Sequence, residues 1–567
     1  MVDQKSTRSA TLNPLDKRLG LVQQKRKQMN TRIIIFVCVV VTLVVLFSVK
    51  LPDLRSKAVA ALNEQPVSAQ SNPKNEAPSE PDLDLAALGI LPLEESTEDE
   101  TPEATEEIPE LQETLEPEVL ANIPTQAALL QQEENAPIVY YAQSGDSIGV
   151  LAIRFGVEAQ EITSASALPE EGFIPVGQLL LIPNRLKQTS SNLKLFPDSE
   201  VVNSPSSVDF DIAAYVEQAG GYLSTYKEQV YAHGEMSGAA ILEKVSKEFA
   251  IHPRLLLTLI EHQSGWVYGP KPADEFSQWH PLGIKMDAAG LHHQLVKAAG
   301  LIESGYYGWR EGTLVTTDFQ DGWRLRLAAE LNCGTVGLMQ FFSTLYRFED
   351  WSNTLYGENG FIATYSRMFG DPWVIAQEHE PIFTPDVLQP ELILPFEPGV
   401  VWAYTVGPHA AWGAADVRAA LDFSPPTAES GCHTNWNWVT AAAAGLVVRS
   451  EEGVVVVDMD GDGYEQTGWN IIYLHIATTN RVPVGTWLEA GDRIGHPSCE
   501  GGKSTGTHLH IARKYNGEWV PAEGPLAFVM SGWKTKSGSE FLQGWLVKGE
   551  EVRQASIYGI VASHISR

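Results

Sequence analysis

A chain of 567 residues with 44% hydrophobic and 9% aromatic content is long enough for several buried cores, which excludes a single small domain. Its formal net charge of −31 excludes nucleic acid as the partner, because phosphate contacts need Lys and Arg in excess. The 4 cysteines, Cys38, Cys333, Cys432 and Cys499, include no Cys-x-x-Cys pair, so zinc ribbons and thioredoxin-type centres are excluded and any metal is held by His and carboxylate. Residues 1–32 form a basic leader (Lys5, Arg8, Lys17, Arg18, Lys25, Arg26, Lys27 and Arg32). Residues 33–51 are almost wholly apolar and predict one membrane-spanning helix with a cytoplasmic N-terminus. The rival is a signal peptide cut near Ala58–Val59–Ala60, but the apolar run is long for that, and a retained anchor is the expectation. Residues 52–137, rich in Glu, Pro, Ala, Ser and Gln, predict a disordered acidic spacer that lifts the rest away from the membrane on the extracytoplasmic side.

Over 138–186 the pattern reads strand, turn, two short helices and strand. Tyr141, the Gly145–Asp146–Ser147 turn, Ile148, Ala152, Phe155, Ile162, Leu168 and the closing stretch from Gly177 to Pro183 resemble the LysM module. The resemblance implies a βααβ domain that binds N-acetylglucosamine-containing glycans such as peptidoglycan, with Ser166 where that family often has Asn. A polar linker, 187–208, follows.

Residues 209–396 are dense in helical signals. Ser237 precedes an apolar helical run, and His252–Pro253–Arg254 opens another that ends at Glu261, with proline at the first helical position. A carboxylic acid at the end of an apolar helix is a candidate general acid, since desolvation raises its pKa. The plainer reading is a helical Glu whose carboxylate reaches water. The run resembles the lytic-transglycosylase and lysozyme-like family, in which such a helix ends in the catalytic Glu, and the stretch from Gly334 to Gln340 resembles that family's groove-lining turn. The resemblance implies cleavage of the MurNAc–GlcNAc bond with Glu261 as acid and then base. Departures are the displaced Ser264, a Tyr- and Trp-rich insertion from Gly305 to Trp309, and a late Tyr motif represented by Tyr365. A non-catalytic glycan-binding helical domain is the alternative.

Residues 397–548 read as an antiparallel β domain: short apolar runs (445–450, 453–457, 469–476) are split by turn residues, and Asn516–Gly517 marks a two-residue hairpin. The strand before that hairpin carries His508 and His510, which alternation places on one face. Together with His409, Asp422 and His475 they resemble the M23 (LytM/lysostaphin-type) zinc metallopeptidases. That resemblance implies Zn²⁺ held by His409, Asp422 and His510, with His475 and His508 facing the attacking water and the scissile carbonyl. Three N/O ligands leave a tetrahedral zinc one open position. Because Trp412 to Leu421 separates the first His from Asp422, Asp416 is a rival ligand. Asp458–Met459–Asp460–Gly461–Asp462–Gly463 begins like a calcium loop but has Trp469 at the twelfth position, so an acidic hairpin turn is expected. Cys432 and Cys499 flank the site and are candidates for a disulfide in an oxidising compartment, leaving Cys333 free. Residues 549–567 read as a tail.

The chain as a whole predicts a multidomain, membrane-anchored cell-wall hydrolase: one transmembrane helix, a βααβ module, a mainly α domain and an antiparallel β zinc endopeptidase acting on peptidoglycan cross-links. The alternative is a non-catalytic peptidoglycan-binding scaffold or an activator of other hydrolases. The complete ligand set argues for the enzyme.

Overall fold

The computed structural model describes residues 136–567, apart from 286–287, 385, 414–416 and 541. The leader, the expected membrane helix, nearly all of the acidic spacer and Asp416 lie outside the described residues. Among the described residues no helix is long and apolar enough to cross a membrane.

Strand β1 (Ile138–Tyr141) pairs antiparallel with β2 (Leu179–Ile182), and helix α1 (Ile148–Phe155) lies between them in the chain. The expected second helix is a single 3₁₀ turn, Ala159–Glu161, because Ile162 must be extended to enter the core and Thr163 pairs with Leu181. This module does not stand alone. Buried Arg154 donates from Nε (3.1 Å) and Nη2 (2.8 Å) to the Trp309 carbonyl, and Ala329 belongs to the module's own core.

The helical part is built on α2 (Gly238–Phe249), α3 (Pro253–Ser264), α4 (Leu291–Glu311) and α5 (Cys333–Leu345). The start of α3 follows from sequence: Pro253 needs no hydrogen bond at N1, and the His252 side chain accepts from the Arg254 N–H. The Tyr- and Trp-rich stretch expected as an insertion is the last turns of α4, where Tyr306, Tyr307 and Trp309 are buried in the core. The expected groove-lining turn from Gly334 to Gln340 lies inside α5 and is buried up to Met339, so it lines no groove. Six consecutive residues from Gly334 to Met339 without a charge made it fit for a buried helix.

One buried network sets this part's acid response. Arg254 donates to the Glu200 carboxylate from Nε and Nη2, each at 3.1 Å. Burial opposes the Glu200 charge, but His252 and Arg254 outweigh it and hold the carboxyl at about 2. Burial pushes His252 down to about 3, so at neutral pH the imidazole is neutral and Arg254 is the standing ion partner. Both groups therefore bind protons more readily in the unfolded chain. Stability from His252 is fully present above its ordinary value of 6.5 and falls as pH drops towards about 3; that from Glu200 is present above 4.5 and falls towards about 2. In denaturant unfolding, wild type should lose about 3 kcal/mol more than His252→Asn between pH 7 and pH 4. The same pH dependence in the two proteins would contradict the assignment.

The C-terminal sheet contains β3 (Trp402–Ala410), β4 (Arg418–Ser424), β5 (Gly445–Glu451), β6 (Val454–Asp458), β7 (Trp469–Leu474) and β8 (Leu509–Tyr515), in the spatial order β5-β6-β7-β8-β4-β3. Asn516 (φ +46°) and Gly517 (φ +78°) turn β8 back onto Glu518–Trp519, the positive-φ pair that a two-residue hairpin requires. Alternation sorts the side chains. Leu421, Val455, Tyr473 and Ile511 enter one core, while Ala420, Val456, Ile472 and Ala512 join the core of the helices. A sheet covered on both faces explains why Val454 to Val457 is apolar without interruption. The expected tail is part of the fold: Glu551–Gln554 pairs with Gly544–Lys548, and His564–Ile565 pairs with the start of β3.

Candidate metal centre and catalytic site

Sheet register assembles the centre. His510 on β8 lies directly opposite Asp422 on β4, and His409 near the end of β3 pairs with Ala420 through a stretch of irregular register. β3 and β4 are adjacent antiparallel strands, so the long sequence interval before Asp422 returns the carboxylate to the first histidine. The three ligand-type atoms crowd together: His409 Nε2 to His510 Nδ1 is 3.1 Å, His510 Nδ1 to Asp422 Oδ1 is 3.2 Å, and His409 Nε2 to Asp422 Oδ1 is 3.3 Å.

The other ring nitrogens explain what this crowding means. His409 Nδ1 donates to the Gly407 carbonyl at 3.0 Å, and His510 Nε2 donates to the Ala411 carbonyl at 3.0 Å. A carbonyl only accepts, so each neutral ring has its proton there and turns a lone pair inward. Asp422 Oδ1 is buried and stands 3.3 and 3.2 Å from the inward nitrogens of His409 and His510. Two ring nitrogens and a carboxylate oxygen in mutual contact suit a cation between them. The ligand-to-ligand edge of a tetrahedral zinc site is about 3.3 Å for bonds of about 2.0–2.1 Å, so the three atoms fit one face of such a tetrahedron. The electrostatics agree: burial opposes the Asp422 charge, but His409 and His508 hold the carboxyl well below the carboxylate range. Burial likewise opposes the His409 charge, and Asp422 outweighs it and draws His409 upward.

His475 and His508 stand beside these three. Their ring centroids are 4.4 Å apart, and His508 Nε2 is 3.4 Å from Asp422 Oδ2. His508 immediately precedes β8 and bridges to Ser498. His475 follows β7 at φ +67°, an uncommon conformation for a non-glycine residue that bends the chain out of the strand. Each donates Nδ1–H to a carbonyl, His475 to Glu500 and His508 to Gly506, both at 2.8 Å, leaving Nε2 as an acceptor. Burial, with His508 and His510 close by, pushes His475 down to about 3, so its ring is neutral.

Glu261 is not brought to this centre. It lies in the last turn of α3, and its Oε2 accepts the backbone N–H groups of Val267 (3.0 Å) and Tyr268 (3.2 Å), pinning the chain after the helix. Cys432 and Cys499 form a disulfide with Cα atoms 5.6 Å apart, and Cys333 is free and buried. In the acidic turn, Asp458 accepts N–H groups from Asp460, Gly461 and Gly463, and burial next to Asp458 pushes Asp460 up to about 7.

Residues 194–382 match the family model described as the LasA N-terminal domain. Protease LasA of Pseudomonas aeruginosa is 28% identical over 310 residues, covering 50% of this chain and 67% of that protein. The chain is similar to the LasA-like M23 metallopeptidases. A beta-lytic metalloendopeptidase of Lysobacter enzymogenes is 28% identical over 153 residues, 26% of this chain and 82% of that protein. The M23 metalloprotease pseudoalterin, from the deep sea, aligns with a TM-score of 0.26 and 21% identity, covering 32% of this chain and 99% of that structure. The helical part, for which a lysozyme-like domain was the expectation, falls within the residues that match the LasA N-terminal domain.

Residues that the sequence did not single out are the carbonyls that fix the four tautomers and the loop Gly431–Trp438 beside the site. Main-chain acceptors leave no trace in residue identity. The loop had one signal, two tryptophans close behind Cys432.

Proposed function

We propose that the chain is a zinc metalloendopeptidase that cuts peptide cross-links in peptidoglycan, with His409, Asp422 and His510 as metal ligands and His475 and His508 as catalytic residues. The observation that carries the reading is the set of four imidazoles, each with one ring nitrogen within 3.0 Å of a main-chain carbonyl and the ring gathered around the buried Asp422 carboxylate. Bound zinc polarises the scissile carbonyl and lowers the pKa of water. The residues do the rest. One Nε2 of the His475 and His508 pair takes the proton of the attacking water and returns it to the amine nitrogen as the C–N bond breaks, while the other ring faces the carbonyl. Glu500 and Gly506 carbonyls keep both rings in the tautomer that can begin this.

The same reading includes a single-pass anchor at 33–51, extracytoplasmic catalytic parts, and glycan contact through the LysM-like module at 138–186. Glu261, occupied with Val267 and Tyr268, is assigned to structure and not to glycan cleavage. The test treats purified peptidoglycan with the ectodomain, His508→Ala and Glu261→Gln, and identifies products by mass spectrometry. Cross-link fragments should appear with wild type and Glu261→Gln and be absent with His508→Ala. Equal release by His508→Ala would refute the catalytic assignment.

A further inference from the structure

The loop Gly431–Trp438 is fastened to both strand ends that carry the catalytic histidines. Thr507, next to His508, donates its N–H to Gly431 at 3.1 Å and receives the His433 N–H at 3.0 Å on its hydroxyl. Asn435 N–H donates to Pro497 at 3.0 Å, one residue before Ser498, whose own N–H reaches the His475 carbonyl at 2.7 Å. The Cys432–Cys499 disulfide crosses the same gap. A loop of this length held at three places is rigid where it meets the site.

Its two tryptophans are placed differently. Trp438 is sandwiched, with the His496 ring at 3.9 Å and the Arg493 guanidinium at 4.7 Å, and Arg493 is itself paired to Glu397 at 2.8 Å. Trp436 rests edge-on against the same His496 at 5.1 Å and is 66% exposed. His496 is 1% exposed and donates Nδ1–H to the Asn437 carbonyl at 3.1 Å, so it serves as a prop. Within 425–438 and 496–508, Trp436 is the one large apolar side chain left exposed among the described residues.

We propose that Trp436 is a substrate-contacting, specificity-determining residue: its indole packs on the extended peptide flanking the scissile bond, and the Cys432–Cys499 bridge with His496 positions it. The inference rests on the peptidase reading above. A rigid aromatic ring offers a large contact area at small entropic cost, and burial of such an anchor commonly dominates recognition. Because the ring touches neither the ligands nor His475 and His508, its contact with substrate persists unchanged through the reaction, which affects KM and not kcat.

The experiment uses a soluble cross-linked muropeptide dimer. Trp436→Ala should raise KM roughly tenfold with kcat and bound zinc unchanged, and Trp436→Phe should recover most of the loss. In the His508→Ala background, calorimetry should show the dimer's Kd weakened by the same factor when Trp436→Ala is added. KM and Kd both within twofold of the parent would overturn the proposal. A wild-type protein that binds the dimer through Trp436 without cutting it would leave the subsite standing and remove the peptidase reading; one that neither binds nor cuts removes both.

Discussion

Replacing His510 by alanine is expected to abolish cross-link hydrolysis and strip the protein of zinc. The loss should exceed the roughly 100-fold that removal of an outer-shell partner reaches, since a ligand itself is lost. His510 Nδ1 is 3.1 Å from His409 Nε2 and 3.2 Å from Asp422 Oδ1, so its removal opens one corner of the ligand triangle. The comparison with His508→Ala separates binding from chemistry. His508 lies 3.4 Å from Asp422 Oδ2, outside the triangle, and its alanine variant should retain zinc while losing turnover. Metal content by mass spectrometry, turnover on peptidoglycan and circular dichroism of the three proteins decide the matter. Zinc retained at full stoichiometry in His510→Ala would refute the ligand assignment.

Much of the centre was legible in the chain, because its signals are local. A His-x-His run before an Asn-Gly hairpin specifies a strand end, and the alternation of Leu509, Ile511 and their neighbours fixes which face the imidazoles share. The interval between His409 and Asp422 looked like an obstacle only because sequence does not display pairing; β3 and β4 are adjacent, and register closes the distance. The helical part was harder. Glu261 at the end of an apolar helix invites an acid's role, yet what a carboxylate does depends on the N–H groups that the following turn brings to it, here Val267 and Tyr268. Gly334 to Met339 resembled a turn motif, but the same small and apolar residues suit a helix buried on every side. The calculation that a sequence permits is local, whereas these outcomes are set by what packs against each segment.

One contact that binds the helical and β parts was announced by no motif. Glu518, fully buried in the short strand returning from β8, accepts from Arg310 Nε at 2.9 Å and Nη2 at 3.0 Å and from the Tyr306 hydroxyl at 2.8 Å, all on α4. Beside it the Tyr307 hydroxyl accepts the Trp519 N–H at 2.9 Å. Glu518→Ala should destabilise the protein by about 3–5 kcal/mol, because Arg310 stays buried with only Asp198, at 3.4 Å, to balance it. Removing both charges with apolar residues of similar volume, Arg310→Met with Glu518→Leu, should restore most of that loss, since neither partner is then left unpaired. Denaturant unfolding should remain one transition in the wild type, the helices and sheet sharing a continuous core through Ala420, Val456, Ile472 and Ala512. In Glu518→Ala the loosened hairpin continues directly into β8, whose second residue is His510, so the apparent zinc affinity should fall along with stability. Two separate unfolding transitions in the wild type, or a cost below about 1 kcal/mol for Glu518→Ala, would mean that the helical part merely lies against the sheet and does not support the metal centre.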